Sequence, residues 1–516
     1  MSAAQIGDRD EFVVDPNLVT LLISSLVLLI TRWLWNMIPA PSQARNSPPR
    51  VSGWMPYFGV WWDLKADPEH YLRRCYEQHG EVFTLYMCGR NYHMLWNHED
   101  HHIFYLKPDE EVSGASQPFV AVLGSKDAAL FSSENRNEIN ATVAQWLGFF
   151  HRHVARGLSG QYMRSYTSGI HDEIRRGIAE LPPSGELDLY QFLIDMSLRC
   201  TLRLMLGEGF LAEHPELHAD VMTVKHYFDN YAPDPFLKSF VLLVPTPQNF
   251  AIRKAIIRIK STFHNRIEEL YEKGEGEETL LFSALKVSRA NDVTFGPSHG
   301  ITLVMFLLTL SATANMPVVS FWALYHLNRN KKACADVIQD YRRVANAARA
   351  EGRSLFNRHD YHELKVMDNT VKESVRMHQG VIHLGNVLRA IHKDQEVGGY
   401  VLEKGSILCL PTHQYFDERW YKHPHEFDPD RWNDSQWVES LPRFTFTPFG
   451  AGAHFCPGRL VASCFIKIIT SEFLETFNFE FVNEVTKSTP PFTGVAPPTC
   501  GQGRNVIRFT RKPSAQ

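Results

Sequence analysis

Cys456 lies in the stretch Pro448-Phe449-Gly450-Ala451-Gly452-Ala453-His454-Phe455-Cys456-Pro457-Gly458-Arg459, which constrains this chain more tightly than any other segment. A cysteine on a turn of glycines and a proline, with a helix starting just behind it, suits a thiolate facing a metal. Glycines let the backbone approach a flat cofactor closely, where a Cβ would intrude. The positive end of a helix lowers a thiol pKa and steadies the anion. A buried core cysteine after a Gly-rich turn is the bland alternative, and it does not call for so many fixed positions in one short window.

The chain has 516 residues, 44% of them hydrophobic, with a net charge of −4. That length removes any difficulty in building a core. The charge balance lacks the basic excess expected of a nucleic-acid partner. The eight cysteines are scattered without paired spacings, so neither a disulfide framework nor a zinc site is expected, and a reducing compartment fits best.

Residues 18–38 are apolar over 21 positions, interrupted by one charge, Arg32, with Trp33 and Trp35 near one end. A membrane anchor, a cleaved signal peptide and a core helix all meet that description. Asp8, Asp10, Glu11 and Asp15 outweigh Arg9 upstream, where a signal peptide would be basic, while Arg32, Arg45 and Arg50 lie downstream. The expected order is a luminal N-terminus (1–17), one transmembrane anchor (18–38), a Pro-rich hinge (39–50) and a cytosolic catalytic domain (51–516). Within that domain the helical patterns Ile252–Lys273, Gly300–Asn328 and Lys331–Glu351 dominate. Short strands are expected at Glu81–Met87, Tyr92–Trp96, Val387–Ile391 and Val506–Phe509.

The spacing Phe-x-x-Gly-x-His-x-Cys-x-Gly, from Phe449 through Gly452, His454 and Cys456 to Gly458, resembles the haem-binding loop of the cytochrome P-450 family. His454 stands where most members carry arginine. The resemblance covers nearly the whole chain. It implies a mainly α fold with small β-sheets, and haem b with Cys456 as the axial thiolate. Glu373 and Arg376 form Glu-x-x-Arg, 83 residues before Cys456. By resemblance they join Arg431, in Phe427-Asp428-Pro429-Asp430-Arg431-Trp432, in a buried network bracing the cysteine loop. Glu173 and Arg176 repeat the spacing, and a solvated helix-face pair is expected there. Arg389, followed by Asp394, and His454 stand where the family places haem-propionate partners. The helix expected to add further propionate contacts, around Trp146 to Arg156, aligns poorly.

The helix from Ile301 carries Thr313-Ala314-Asn315-Met316-Pro317 and then Phe321-Trp322. Most members of the family place an acid and a threonine here to relay protons. Asn315 and Met316 replace them, Thr313 lies nearby, and Pro317 should kink the helix. This pattern resembles the branch holding sterol 7α- and 12α-hydroxylases and prostacyclin synthase, with Asn-Met as in the isomerising synthase and the proline one residue early. Two arms follow. One is a monooxygenase inserting one oxygen atom from O2 into a sterol, terpenoid, polyketide or fatty acyl substrate, in a biosynthetic route for a secondary metabolite. The other is a reductant-independent isomerase or dehydratase of an oxygenated lipid. A non-catalytic haem-based binder of lipid or gas is a third class.

The resemblance further implies an endoplasmic reticulum membrane address and electrons from NADPH through a separate flavoprotein reductase. The apolar stretch Phe236–Val244 is expected to form an access lid or a buried helix face, and the Gly494–Pro498 turn to touch substrate. Arg443, Arg459 and Lys467 are candidates for the reductase-docking face.

Overall fold

The structure is a computed structural model that describes residues 25, 46–54, 58–87, 89–108, 110–114, 163–231, 246–273, 279–282, 286, 299–353, 358–380, 382–383, 389–452, 455–487, 492–493, 496–499 and 503–513. All but one residue of the expected anchor, the lid at 236–244, the 146–156 segment and His454 lie outside these. Among the described residues no helix is long and apolar enough to cross a membrane.

The helical patterns fold as read. The long helices used below, in chain order, are α1 (Met163–Ala179), α2 (Leu189–Leu206), α3 (Pro247–Lys273), α4 (His299–Arg329), α5 (Lys331–Ala350), α6 (Lys365–His378) and α7 (Arg459–Thr476), and Glu216–Tyr231 forms another. Helix α4 is apolar all round, the signature of a helix enclosed by others. It packs on α2, α3, α6 and α7. From Val318 to Leu324 every side chain on it is buried. Pro317 does not interrupt it, and the Ser320 hydroxyl donates to the Met316 carbonyl at 2.9 Å.

The strands used below are β1 (Arg50–Val51), β2 (Val82–Met87), β3 (Arg90–Leu95), β4 (Val112–Gly114), β5 (Ser184–Asp188), β6 (Ile382–His383), β7 (Arg389–Ile391), β8 (Ile407–Cys409), β9 (Phe477–Phe481), β10 (Phe492–Thr493) and β11 (Val506–Arg511), with two short antiparallel pairs besides. One sheet runs in the order β1-β2-β3-β8-β7-β4, and a second runs β9-β11-β5. A short parallel pair joins β10 to β6, with Phe492 opposite Ile382. The largest core cluster is helical and joins α1 to α7, while two smaller clusters line the six-stranded sheet. Sheet and helices thus flank the cysteine loop, which leads into α7.

Candidate active site

The cysteine loop is closed by its own backbone. The Cys456 amide donates to the Phe449 carbonyl at 2.8 Å, and the Gly450 amide to Thr447 at 3.0 Å. Gly450 and Gly452 hold φ of 74° and 66°, a region that side chains rarely enter. A Cβ on Gly452 would stand 2.1 Å from the Tyr105 carbonyl oxygen. This glycine is therefore demanded by the close approach of the backbone at Tyr105, a constraint that the sequence did not reveal. A Cβ on Gly458 would meet the Cys456 sulfur at an ordinary 4.0 Å, so space does not require glycine there.

Burial pushes the Cys456 thiol above its ordinary pKa, while backbone amides of Gly458 and Arg459 and the charge of Arg459 pull it down. Those amides belong to the first turn of α7, where N–H groups lack helical partners. The sulfur is thus half-buried, hydrogen-bonded and directed by a helix start. A metal cation bound there would remove the thiol proton outright.

Behind the loop, Glu373 and Arg376 are completely buried on α6. Arg376 grips the carboxylate with two N–H groups, at 3.0 and 2.8 Å. Arg431 adds a third at 3.0 Å, the Asp428 amide a fourth at 3.2 Å, and the Trp432 indole a fifth at 2.9 Å. The three charged residues expected to meet do meet. The indole donor was not foreseen; its only signal was a tryptophan adjoining Arg431. Arg376 also donates to the Tyr415 carbonyl at 2.8 Å, and the Tyr415 hydroxyl accepts from the Thr447 amide at 3.0 Å. Trp432 packs on Phe446, with ring centroids 4.5 Å apart. The network therefore reaches the residues just before Pro448 by two routes.

Arg389 opens β7 and is fully buried, its guanidinium carbon 5.2 Å from the Phe104 ring centroid. The next residue, Tyr105, hydrogen-bonds Thr447 at 2.9 Å and stacks on Phe444. Asp394 caps a turn, accepting from the Lys404 amide at 2.8 Å.

On α4 the three candidates part company. Asn315 is exposed, whereas Thr313 is fully buried and Met316 belongs to the main core cluster. Lys467 is not a surface docking residue: it is 3% exposed and pairs with Asp368 of α6 at 2.9 Å. Arg443 is exposed, and Arg459 lies 4.7 Å over the Phe455 ring. Glu173 also differs from expectation. It is buried and receives Arg176, Arg199 and Arg203, although Arg176 itself is half exposed.

These residues suit a haem. One half-buried cysteine is presented on helix amides, Arg389 is fully buried, and no competing carboxylate faces the sulfur among the hydrogen bonds of the described residues. Cys456 would ligate the iron and Arg389 would pair with a propionate.

Comparison with known proteins agrees. The family model "Cytochrome P450" matches residues 48–501. A sterol 14α-demethylase of Mycolicibacterium vanbaalenii is 24% identical over 84% of this chain and 91% of its own. Lanosterol 14-alpha demethylase of Rattus norvegicus is 24% identical over 98% and 97%, and cytochrome P450 7A1 of Oryctolagus cuniculus is 23% identical over 91% and 94%. The structure of a retinoic acid bound cyanobacterial CYP120A1 superposes with a TM-score of 0.71 at 16% identity, covering 91% of this chain and all of that one. With the cysteine loop, its buried brace and the architecture all in place, the chain belongs to the cytochrome P450 family.

Proposed function

We propose that this haem-thiolate enzyme is a membrane-anchored monooxygenase that inserts one atom of O2 into a lipophilic substrate of sterol or terpenoid type. The observation that carries it is Cys456, held at the start of α7 with the Gly458 and Arg459 amides on its sulfur. The sterol demethylases among the relatives support the substrate class. Residues 18–38 would anchor the chain in the endoplasmic reticulum membrane, with NADPH electrons delivered by a separate flavoprotein reductase. Exposed Arg443 is the better candidate for that contact, since Lys467 is spent on Asp368.

Haem, when bound, supplies the oxygen-activating redox chemistry, and a thiolate ligand favours O–O cleavage. The protein's contribution is to hold, orient and deliver protons. The helix amides offset part of the burial that disfavours the anionic sulfur, bound iron would complete its deprotonation, and the Glu373 network braces the loop. Arg389 would orient the ligand through a propionate. Asn315 offers one amide donor pair and one carbonyl acceptor. It would hold a water without giving up a proton of its own, so protons would arrive through ordered water rather than from this side chain.

Because Met316 points into the core rather than supplying an alcohol, the reductant-independent isomerase or dehydratase remains the second reading. The test is metabolite mass spectrometry on membranes carrying the protein and a reductase under heavy O2. A product one labelled oxygen heavier, formed only with NADPH, is expected. A product of unchanged or dehydrated mass formed without NADPH would establish the second reading instead.

A further inference from the structure

Every polar group of Thr447, on the approach to Cys456, is taken. Its amide donates to the Tyr415 hydroxyl at 3.0 Å, and its carbonyl accepts from the Gly450 amide at 3.0 Å. Its hydroxyl lies between two phenols, 2.9 Å from that of Tyr105 and 3.4 Å from that of Tyr415. Tyr415 leads to Arg376 and the Glu373 brace. Tyr105 belongs to another part of the molecule, the short helix His101–Leu106, which shares a core cluster with the six-stranded sheet. The loop is thus gripped from two sides, and only one grip depends on Glu373.

Tyr105 touches the loop at three separate points. Its hydroxyl meets Thr447, its ring stacks on Phe444 with centroids 5.1 Å apart, and its carbonyl oxygen fills the space beside Gly452. The residue before it, Phe104, meets it edge to face at 5.1 Å and has the Arg389 guanidinium over its own ring. Both rings are buried. The two places where the protein would hold haem, Arg389 and the cysteine loop, are therefore referenced to one pair of adjacent residues. Burial raises the pKa of both phenols, so each remains a neutral hydroxyl.

We infer that Tyr105 is a positioning residue for the cysteine loop, acting through the Thr447 hydroxyl: it fixes the loop relative to Arg389 and so holds the Cys456 sulfur in its thiolate state. The inference rests on the haem-thiolate reading given above. A loop that swings away lets the sulfur take a proton from water, and the carbon-monoxide complex then loses its thiolate-type band. That loss passes through an opened loop, whose population rises when a holding bond is removed.

The test uses full-length, haem-loaded wild type, Tyr105→Phe, Thr447→Val, Thr447→Ser and the double variant carrying Tyr105→Phe with Thr447→Val. Tyr341→Phe serves as a comparison, since Tyr341 is another buried phenol, bonded to Glu472 near the far end of α7. The rate at which the reduced carbon-monoxide complex loses its thiolate-type Soret band in mild urea is followed. Tyr105→Phe keeps the ring stack and loses the hydroxyl, and it should speed the loss about fivefold, one neutral hydrogen bond's worth. Thr447→Val should do at least as much, while Thr447→Ser keeps the hydroxyl and should stay within about twofold of wild type. The double variant should stay within about twofold of Thr447→Val, because the two side chains act through one bond. Tyr341→Phe should unfold at lower urea yet leave the rate within about twofold. An unchanged rate in Tyr105→Phe, an additive double variant, or equal acceleration in Tyr341→Phe would overturn the inference. If Thr447→Val takes up no haem, the rates of Tyr105→Phe and Tyr341→Phe still decide. Failure of the functional reading looks different, because wild type itself would then show no thiolate-type band.

Discussion

Two glutamates in this chain head the same Glu-x-x-Arg spacing, and replacing each with glutamine separates the effect of burial from that of sequence. In Glu373→Gln the amide occupies the carboxylate's place but turns one oxygen into a donor. Whichever way it flips, the new NH2 confronts at least two N–H groups: Arg376 Nε and Trp432 on one side, or Arg376 Nη2, Arg431 and the Asp428 amide on the other. Each stranded buried donor costs about 1–3 kcal/mol. Breaking a buried ion pair by removing one partner costs about 3–5 kcal/mol. The two routes agree on about 4 kcal/mol, a large share of the roughly 5–15 kcal/mol that holds a typical domain. Around Glu173 the partner arginines keep contact with water, their side chains 50%, 26% and 17% exposed. Solvent replaces much of what Glu173→Gln removes, so about 1 kcal/mol is expected. Urea unfolding of both variants beside wild type measures the difference, and the thiolate-type Soret band reports the loop. Glu373→Gln should lose both stability and band, and Glu173→Gln should keep the band. If the two variants lost stability within about 1 kcal/mol of each other, the reasoning from burial would be refuted.

Cys456→Ala should abolish both the thiolate spectrum and turnover; retention of either would remove this cysteine from the site. Gly452→Ala should lower haem retention severely, because its Cβ would sit 2.1 Å from Tyr105 oxygen at a φ of 66°; haem titration of the purified variant reads this directly, and full retention would contradict the crowding. Trp432→Phe keeps the packing on Phe446 but removes one donor from Glu373, with an expected loss of about 1 kcal/mol in urea unfolding. Burial lowers His93 and His413 to about 4 and His326 to about 3. The unfolded chain therefore takes up protons near pH 6.5 that the folded protein refuses, so stability is full above pH 6.5 and falls towards pH 4. His413→Phe, which preserves a ring against Trp96, should flatten that fall by up to about 1.4 kcal/mol per pH unit; an unchanged slope would show that this histidine titrates normally.

The parts of the site legible in the sequence are those where several residue types are fixed at short range. The loop around Cys456 and the helices from Pro247, His299 and Lys331 are of that kind. Glu373, Arg376 and Arg431 were readable only through family resemblance, since spacing alone could not distinguish them from Glu173 and Arg176. What separates the two sets is which partners lie under neighbouring elements, a tertiary fact. Lys467 was misassigned to the surface although its neighbours Cys464, Phe465, Ile466, Ile468 and Ile469 are all apolar and buried. A lone lysine inside such a run signals a partner for its charge, which proves to be the half-buried Asp368. Trp432 was passed over because an indole in an aromatic-rich segment reads as packing, and only the structure shows its N–H aimed at a carboxylate. A second reason for Gly452 was invisible in the sequence, because the backbone it must clear is that of Tyr105, hundreds of positions away in the chain.

The second sheet has an order that reaches beyond the site. Its middle strand is β11, and the outer strands are β5 and β9. Thr510 lies opposite Ser184 on one side and Asn478 on the other. During synthesis β5 leaves the ribosome more than 300 residues before its neighbour exists, and β9 is not its partner in the sheet. Both edges must wait, unpaired, for residues 506–511. A frameshift or stop codon just upstream of Val506 would spare every residue near Cys456 and still leave the nascent chain with two open edges. Such a product should be recognised by chaperones and proteases as unfinished.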